Sequence, residues 1–567
     1  MAVRVMWASA GFAGGATNSF ISASLAAFGS SIWALGLSDI SGSLPTACTS
    51  QWPVEANEKA IDMSLARHYS DDFYHRVHIQ PRSIDLGNIA SEQVFPVTIW
   101  NAWLVPKTLA NIETEDAEGF ALSGQPAAPI VVAPLQTRVW SVRVGLDGPP
   151  TISATLKWSF IGGAIAALFV AGSRLIAFPF LPDWSTGVRE RLEWMTEIMS
   201  SVTMREQRRC LRLSPRREFS VNLIVDGAER QYFDMLIFGW GPRIWALPVW
   251  HDIQITTAAR IAGDLNVPCS TDGREFVLGG LALLRGATAW DVEVVEIQSV
   301  EPTKINLARP LAASWPRGTR IYPAVLGSLE QHPDHLRVTD SAESISAVFR
   351  VATASDSVGI TPPTIYRGRP VLETAPDENI DLSRALERMT LMLDNKTGIP
   401  KRTDPSGQTF ILQAHRSLLH GRAEHVAHRG LLYYLQGRFK ALWVPSFADD
   451  LTVVTALVYT SPALTVRSTG YARFGITSKT RRDIRIELHD GTTFHRHIVA
   501  AAIIDAQTEQ LEMDSPLDRN VSPGEVRRIS YMTLCRLDQD AVEIQHDTDA
   551  DGVAQSQFML RGVKDDF

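Results

Sequence analysis

The sequence has few cysteines, and none of them stand in a redox or metal-binding motif. Cys48, Cys210, Cys269 and Cys535 are scattered along 567 residues and form no CxxC pair. A disulfide framework or a structural zinc site requires more numerous or more closely spaced cysteines. The sequence therefore predicts reduced, buried thiols, which fit a protein that is assembled in a cytoplasm.

The chain also lacks an excess of positive charge. Its formal net charge is -8, with 54 Lys and Arg against 62 Asp and Glu. A dedicated nucleic-acid binder carries a basic surface that neutralises phosphates, so we expect no nucleic-acid specificity. The local basic cluster from Arg205 to Arg217 is interpreted as the solvated face of a helix and its exit, with a charged subunit interface or a tube lining as the alternative.

Two apolar stretches do not have the pattern of membrane spans. The first, Ala8 to Leu37, is rich in Ala, Gly and Ser, and we predict that residues 1–75 form an N-terminal arm packing on a neighbouring subunit. The second, Trp158 to Trp184, is broken by Gly and Pro, and Arg174 near its middle would be costly in lipid. Short strands and a turn fit this stretch better, so no membrane span is expected.

Residues that could ligate metals are present but wrongly spaced. The acidic sequence Asp547 to Gly552 begins like a calcium loop, yet Phe558 stands where a bidentate Glu is required. Three neighbouring histidines are separated by five and three positions rather than the four of an HExxH motif: His420, His425 and His428. We therefore predict no metal site.

Motifs for catalysis are absent as well. No nucleophile elbow, P-loop, dinucleotide fingerprint or cysteine-protease phrase occurs. Asp449 and Asp450 are adjacent, and adjacent side chains of a strand point to opposite faces, so they would not converge on one bond. We predict that the chain is not an enzyme and has no cofactor. An envelope-degrading enzyme remains an alternative because a glycosidase would show only scattered carboxylates.

A mainly β fold is expected, beginning with an immunoglobulin-like β-sandwich at residues 76–160. Turn residues separate its short β-forming runs, which are Val94–Trp100, Ile130–Val132, Thr137–Val144 and Ile152–Trp158. The phrases that begin at Pro81, Val97 and Gly119 resemble the immunoglobulin-like ASH module. This resemblance implies a binding or spacer unit without chemistry of its own.

Two helices are predicted from apolar residues spaced three and four apart. The first, about residues 187–209, has the stripe Val188, Leu192, Met195, Met199 and Val202. The second, Leu382 to Leu393, has the stripe Leu382, Ala385, Leu386, Met389 and Leu393. The intervening residues 331–378 are richer in Pro, Ser, Thr and Asp and are predicted to be a linker or insertion.

An internal repeat follows each predicted helix. Ile244–Asp252 matches Ala441–Asp449, because in both phrases a Pro follows an apolar run and an Asp stands four residues later. Upstream, Arg191–Met195 matches Ala385–Met389, and Pro310, Leu311 and Gly318 recur downstream at Pro516, Leu517 and Gly524. Such ordered matches indicate a duplicated unit. We predict two tube-like β-barrels or sandwiches, repeat 1 at 161–330 and repeat 2 at 379–567.

The repeated phrases contain aromatic residues that bury a large area. Trp245, Trp250, Trp443 and Phe447 are best interpreted as core and turn residues, and they are also the candidate anchors of a subunit interface. The phrases Trp245–Asp252, Leu442–Asp450 and Val526–Asp538 resemble a family of tail proteins from siphophages of Gram-negative bacteria, over about residues 75–565. No catalytic residue can be carried over from this family.

The resemblance implies a structural subunit of the virion, in the distal tail or baseplate at the tail tip. Its expected partners are the tail tube protein, the tape measure protein, and hub or fibre proteins. We also expect the chain to pair with itself in a ring: a trimer with pseudo-sixfold symmetry, since two repeats in each of three copies would place six similar domains, or a hexamer. A tail protein that binds a host-surface receptor or glycan is the alternative function.

Overall fold

The computed structural model describes residues 52–56, 59–63, 73–89, 92–145, 148–149, 151–241, 243–355, 357–549 and 552–564. The predicted mainly β fold is confirmed, with 50% strand and 9% helix. The chain forms two compact units, Met1–Arg174 and Leu175–Phe567. Most of the arm predicted for residues 1–75 lies outside the described residues. No described helix is both long and apolar enough to cross a membrane.

The N-terminal unit contains two larger sheets around one apolar core, and a separate two-stranded pair. One sheet has the strand order β4-β11-β10-β6-β8, the other has the order β3-β5-β9-β7, and β1 pairs with β2 alone. Its strands are β1 Trp52–Ala56, β2 Lys59–Met63, β3 Val77–Gln80, β4 Ser83–Ile89, β5 Gln93–Asn101, β6 Lys107–Glu115, β7 Phe120–Ser123, β8 Ile130–Val132, β9 Thr137–Val144, β10 Thr151–Phe160 and β11 Ile165–Arg174.

The boundary predicted at residue 160 is wrong by one strand. The apolar residues after Phe160 form β11, which pairs antiparallel with β10 and parallel with β4. Alternate side chains of β10 and β11 point into the core, as expected for strands that cover a sandwich. The unit therefore extends to Arg174.

Two tryptophans form the centre of this core. Trp140 and Trp158 are almost fully buried, and their rings meet edge to face with centroids 6.1 Å apart.

We predict that Trp158→Ala lowers the free energy of unfolding of this unit by about 3–5 kcal/mol, since a large aromatic ring leaves a cavity that the sheets cannot close. Denaturant unfolding followed by circular dichroism measures the loss. The exposed Val131 provides the control, because Val131→Ala should cost much less. An equal loss in both variants would contradict this account.

Repeat 1 occupies the first half of the second unit. Its helix α1 is Gly227–Gly239, and Trp250–Asp252 form a short 3₁₀ turn. Its strands are β12 Ile176–Ala177, β13 Val188–Ser200, β14 Glu206–Asp226, β15 Trp245–Pro248, β16 Gln254–Ile255, β17 Asn266–Pro268, β18 Leu281–Arg285, β19 Val292–Glu301, β20 Lys304–Leu307, β21 Arg320–Leu329, β22 Asp334–Arg337 and β23 Ala342–Val351.

Repeat 2 occupies the second half. Its helix α2 is Gly421–Leu435, with shorter helical turns at Tyr471–Gly475, Lys479–Arg481 and Pro523–Glu525. Its strands are β24 Ile365–Tyr366, β25 Arg369–Pro370, β26 Arg384–Arg388, β27 Leu391–Leu393, β28 Lys401–Thr403, β29 Thr409–Leu419, β30 Leu442–Pro445, β31 Ala463–Arg467, β32 Asp483–Leu488, β33 Thr493–Ile503, β34 Thr508–Met513, β35 Val526–Leu537, β36 Ala541–His546 and β37 Ala554–Gly562.

Both repeats use the same strand pairing. A long strand, β14 or β29, leads into the helix, and the next strand, β15 or β30, pairs antiparallel with β21 or β35. Each repeat ends in a hairpin, which is β22–β23 in repeat 1 and β36–β37 in repeat 2. The second strand of the hairpin pairs with the long strand, β23 with β14 and β37 with β29. The matched phrases that begin at Ile244 and Ala441 fall on equivalent strands, which supports the predicted repeat. Among the described residues the strands form several sheets and no closed barrel.

Both predicted helices are wrong, because residues 187–209 fall on β13 and the start of β14, and residues 382–393 fall on the short strands β26 and β27. In β13 the buried positions alternate: Val188, Glu190, Leu192 and Trp194 point inward. A spacing of four residues belongs to a period of two as well as to a helical period, so Val188 and Leu192 fitted both. The charged Glu190 between them hid the alternation. The helices instead lie inside each repeat, after the hairpin.

The linker predicted at residues 331–378 is also wrong. Strands β22 and β23 complete the sheet of repeat 1 through pairing with β14. Val371 makes a parallel bridge to Trp443 in repeat 2, as Ile176 does to Trp245 in repeat 1. Both parts of the stretch therefore belong to the repeats.

Candidate interaction site between the two repeats

Strand β13 joins the two repeats. One edge of β13 pairs with β14 of its own repeat, and the other edge pairs with β36 of repeat 2, from Val188 opposite His546 to Glu193 opposite Ala541. The inward side chains Leu192 and Trp194 belong to the core that surrounds α2. Main-chain pairing and apolar burial therefore both hold the repeats together.

A network of buried charges lies beside this strand pair. Glu190 is 0% exposed and accepts hydrogen bonds from Arg217 Nε at 2.6 Å, Arg429 at 2.5 Å and His546 Nε2 at 2.9 Å. Arg217 also binds both carboxylate oxygens of Glu275, at 2.6 and 2.9 Å. Arg429 and His546 belong to repeat 2, so the carboxylate of repeat 1 is satisfied by groups from both repeats.

The protonation state of Glu190 follows from these partners. Burial alone would raise the pKa of its carboxyl group, because the charged form loses its water. Arg217 and Arg429 outweigh burial and hold the pKa well below its usual range. The carboxylate is thus charged and paired, the condition under which a buried charge can be tolerated.

Three histidines pack against the same network. His251 follows β15, His425 lies on α2 and His546 lies on β36, and all three are buried. The rings of His251 and His546 stack with centroids 3.6 Å apart and planes 2° from parallel, and His425 lies 5.2 Å from His546. Burial, with a contribution from His546, lowers the pKa of His251 to about 3. These imidazoles are therefore neutral near pH 7.

One nitrogen from each histidine lies within 4.8 Å of the others, which raises the question of a metal. A metal ion lies close to the plane of each imidazole that binds it. The parallel rings of His251 and His546 cannot meet that condition for one ion. The geometry is that of packed neutral rings and does not favour a metal centre.

The remaining candidate ligands are dispersed. Of the three histidines that lie close in sequence, only His425 joins this network, while His428 packs near Phe558. Asp547 and Asp549 lie in the turn between β36 and β37. Asp450 accepts hydrogen bonds from Ser446 and from the Tyr531 backbone, so it holds a loop. The basic cluster is on a strand instead of a helix, and its member Arg217 is buried.

The predicted interface anchors lie inside the chain. Trp245 and Trp250 are fully buried in the core of repeat 1, and Trp443 and Phe447 are buried in repeat 2. Indole N–H groups are satisfied internally, since Trp250 donates to Phe180 and Trp443 donates to Tyr366. The structure therefore assigns these aromatics to packing and leaves them unavailable to a neighbour. Glu190, His251 and His546 were missed because their partners lie far away in sequence.

A cavity of about 250 Å³ in repeat 2 bears on the enzyme alternative. Its lining includes the basic residues Arg367, Lys479, Arg482 and Lys564, and Asp483 is the one carboxylate among its described lining residues. Asp483 already accepts hydrogen bonds from Tyr366 OH at 2.8 Å and Arg367 at 3.1 Å. Hydrolysis of a glycoside by the usual route requires two carboxylates, so this cavity does not support it.

No protein-family profile and no curated protein match the chain. Among solved structures, the secreted serine protease VesC from Vibrio cholerae is 12% identical over 51% of this chain and 54% of that chain, with a TM-score of 0.17. Tripeptidyl peptidase 2 is 10% identical over 86% of this chain and 36% of that chain, also with a TM-score of 0.17. The chain thus spans only about half or a third of their lengths, and neither likeness bears on its fold or function.

Removing the central carboxylate should loosen the junction between the repeats. We predict that Glu190→Gln lowers the free energy of unfolding by about 3–5 kcal/mol, because Arg217 and Arg429 would lose their common partner in a buried position. The matched control is Glu543→Gln on the same strand pair. Glu543 is exposed and lies 3.9 Å from Arg189, so its loss should cost less than about 1 kcal/mol. Chemical denaturation compares the two, and similar losses would refute the role given to Glu190.

Acid should destabilise the second unit through its buried histidines. Burial lowers the pKa of His428 to about 3 and of His415 to about 4, and lowers that of His546 as well. The unfolded chain takes up protons near pH 6.5, whereas the folded chain does not. Stability is therefore complete above about pH 6.5 and falls below it, by about 1.4 kcal/mol per pH unit for each such histidine.

Denaturant titrations at pH 7.5, 6.5, 5.5 and 4.5 measure this dependence. His425→Gln should reduce the slope below pH 6.5 by about one proton, since burial lowers the pKa of His425 strongly. A free energy of unfolding that stays constant from pH 7.5 to 4.5 would contradict the prediction.

Proposed function

We propose that this chain is a structural subunit of a bacteriophage tail tip or baseplate, where it forms a ring of its own copies and joins the end of the tail tube to hub or fibre proteins. The phage setting rests on the phrase-level resemblance to siphophage tail proteins. The role in assembly rests on the architecture of the second unit. Tail tube, tape measure and hub or fibre proteins are the partners proposed with it.

The single observation that carries the proposal is the hairpin formed by β26, β27 and β28, both faces of which are exposed to solvent. In β26, β27 and β28 every residue is exposed, although a strand normally buries at least one face. Apolar side chains on this hairpin face solvent: Leu386, Leu391, Met392, Leu393 and, between its strands, Ile399. Such a surface on an otherwise well-packed protein indicates contact with another protein.

The mass of the purified full-length protein in solution tests the ring. Light scattering should give three or six times the mass of one 62.5 kDa chain. A trimer would support six similar repeats around an axis, whereas a hexamer would support a distal tail ring. Antibodies against the protein should label the tail tip of purified virions in electron micrographs. A monomer at all concentrations, together with unlabelled tails, would overturn the proposal.

A further inference from the structure

The two repeats carry equivalent arms that differ in exposure. Strand β13 lies against β14 with Leu192 opposite Arg217, and β26 lies against β29 with Leu386 opposite Ile411. Both pairs differ by 194 positions (386 − 192 and 411 − 217), so Leu386 stands where Leu192 stands in the other repeat. Leu192 is 0% exposed because repeat 2 covers it, whereas Leu386 is 61% exposed. The same position is therefore buried in repeat 1 and exposed in repeat 2.

The surfaces that could receive an arm differ in the same way. In repeat 2, β36 pairs with β37 on one edge and with β13 on the other. Its equivalent in repeat 1 is β22, which pairs with β23 and, among the described residues, has no strand on its other edge. In repeat 1, Leu223 of β14 pairs with Ile345 of β23, which pairs with His335 of β22. In repeat 2, Ser417 of β29 pairs with Ser556 of β37, which pairs with Ile544 of β36. Leu223 and Ser417 are 194 positions apart, so His335 is the counterpart of Ile544.

The helices beside these strands show the same difference in exposure between the repeats. Leu432 on α2 is fully buried in the core that includes Leu192. Its counterpart on α1, also 194 positions away (432 − 194), is Phe238, which is 92% exposed. The neighbouring Met235 is 70% exposed. Repeat 1 thus presents a bare apolar face where repeat 2 presents a covered one, and we name α1 with β22 the receiving face.

We infer that the arm of repeat 2, residues 382–403, docks on the receiving face of a second copy in the register that joins β13 to β36 within one chain. This register places Ser383 opposite Leu336 and Arg384 opposite His335 of the second copy. Leu386 then packs near Phe238, as Leu192 packs near Leu432. The inference deepens the proposed function, because it names the partner and the surfaces of the ring.

Charge supports this occupant. At the position of Glu190 the arm carries Arg384, on the fully exposed strand β26. The receiving face carries Asp234 and Glu343 beside His335 at the matching place, and Arg230 pairs with both carboxylates, so the group keeps one net negative charge. Opposite charges at the docking position favour the arm of a second copy over an arbitrary apolar partner.

The contact is head to tail. Each copy offers one arm and one receiving face on different parts of its surface, which is a heterologous interface that closes into a ring or grows as a filament. In a ring of three copies, three junctions lie within chains and three lie between them. The buried network of Glu190 would distinguish the first kind from the second.

Cysteine pairs test the register. We would mix a Ser383→Cys chain with a Leu336→Cys chain at a concentration where the protein is oligomeric, and oxidise them. Residues directly opposite in antiparallel strands have Cα atoms about 4.5–5.5 Å apart, within reach of a disulfide. When the two chains mix at random in equal amounts, each Ser383→Cys arm has an even chance of meeting a Leu336→Cys face, so we expect up to about half of the protein to run as a dimer on a non-reducing gel. The double variant should give a ladder whose highest band reports the copy number.

The matched control shifts one cysteine by two residues on the same face of the arm. Ala385→Cys with Leu336→Cys places the Cα atoms diagonally, about 7–8 Å apart, and should form at least about fivefold less disulfide because the geometry is unfavourable. Single-cysteine variants account for the native thiols. Arg189→Cys with Gln545→Cys, opposite each other within one chain, should cross-link intramolecularly and serves as the positive control.

A second variant measures affinity without relying on cross-links. Leu386→Glu should weaken association by about tenfold or more, because it exchanges apolar burial for a charge. Its thermal unfolding as a monomer should not change, since Leu386 is exposed in one chain. Val499→Glu replaces another exposed apolar residue outside the arm and should leave association unchanged.

The outcomes separate this inference from the proposed function. An oligomer that forms no Ser383–Leu336 cross-link and tolerates Leu386→Glu would overturn the arm contact while leaving ring formation intact. A chain that stays monomeric until a different tail protein is added, and then buries the arm against that protein, would overturn the inference in favour of a hetero-partner. A monomer under all conditions, absent from virions, would overturn both.

Discussion

The pairing of β13 with β36 is the contact on which the second unit depends. It places Glu190 where Arg217 comes from the same repeat while Arg429 and His546 come from the other. A buried carboxylate without partners would cost several kcal/mol, so the repeats cannot separate or slide without exposing or stranding this charge. Apolar packing around Leu192 and Trp194 adds affinity, but electrostatics selects one arrangement.

This network exists at only one of the two places where the fold could have it. The strand pairing shows that the position of Glu190 in repeat 1 is taken by Arg384 in repeat 2. The position of Arg217 is likewise taken by Ile411. The free arm therefore cannot reproduce the buried ion pairs of the internal junction. Exposed apolar residues replace them, together with Arg384 at the position of Glu190.

Local and repeated patterns in the sequence predict parts of the fold correctly. The β-sandwich runs at residues 130–132 and 137–144 coincide with β8 and β9, because alternation and turn residues act over a few positions. The matched phrases located equivalent strands because both copies kept the same core. The apolar spacing of the first arm predicts a helix instead of a strand, because Glu190 interrupts the alternation of β13, and its partner Arg429 lies 239 residues away. Pairing at such a distance leaves no trace in a local pattern.

Trp245 and Trp443 lie in the core although their residue type also fits an interface, whereas the exposed arm has no distinctive composition. Large aromatics mark interfaces and cores equally well, so composition alone could not separate the two. The arm, in contrast, contains residues such as Arg384, Leu386 and Arg388 that resemble an ordinary amphipathic segment. Its significance comes from comparison with Leu192 and Trp194, which occupy the same strand positions under cover. An exposed strand edge invites indiscriminate pairing, and charged residues on it limit that risk. Arg384 is such a residue on β26, and in the inferred contact it lies towards Asp234 and Glu343 of the receiving face.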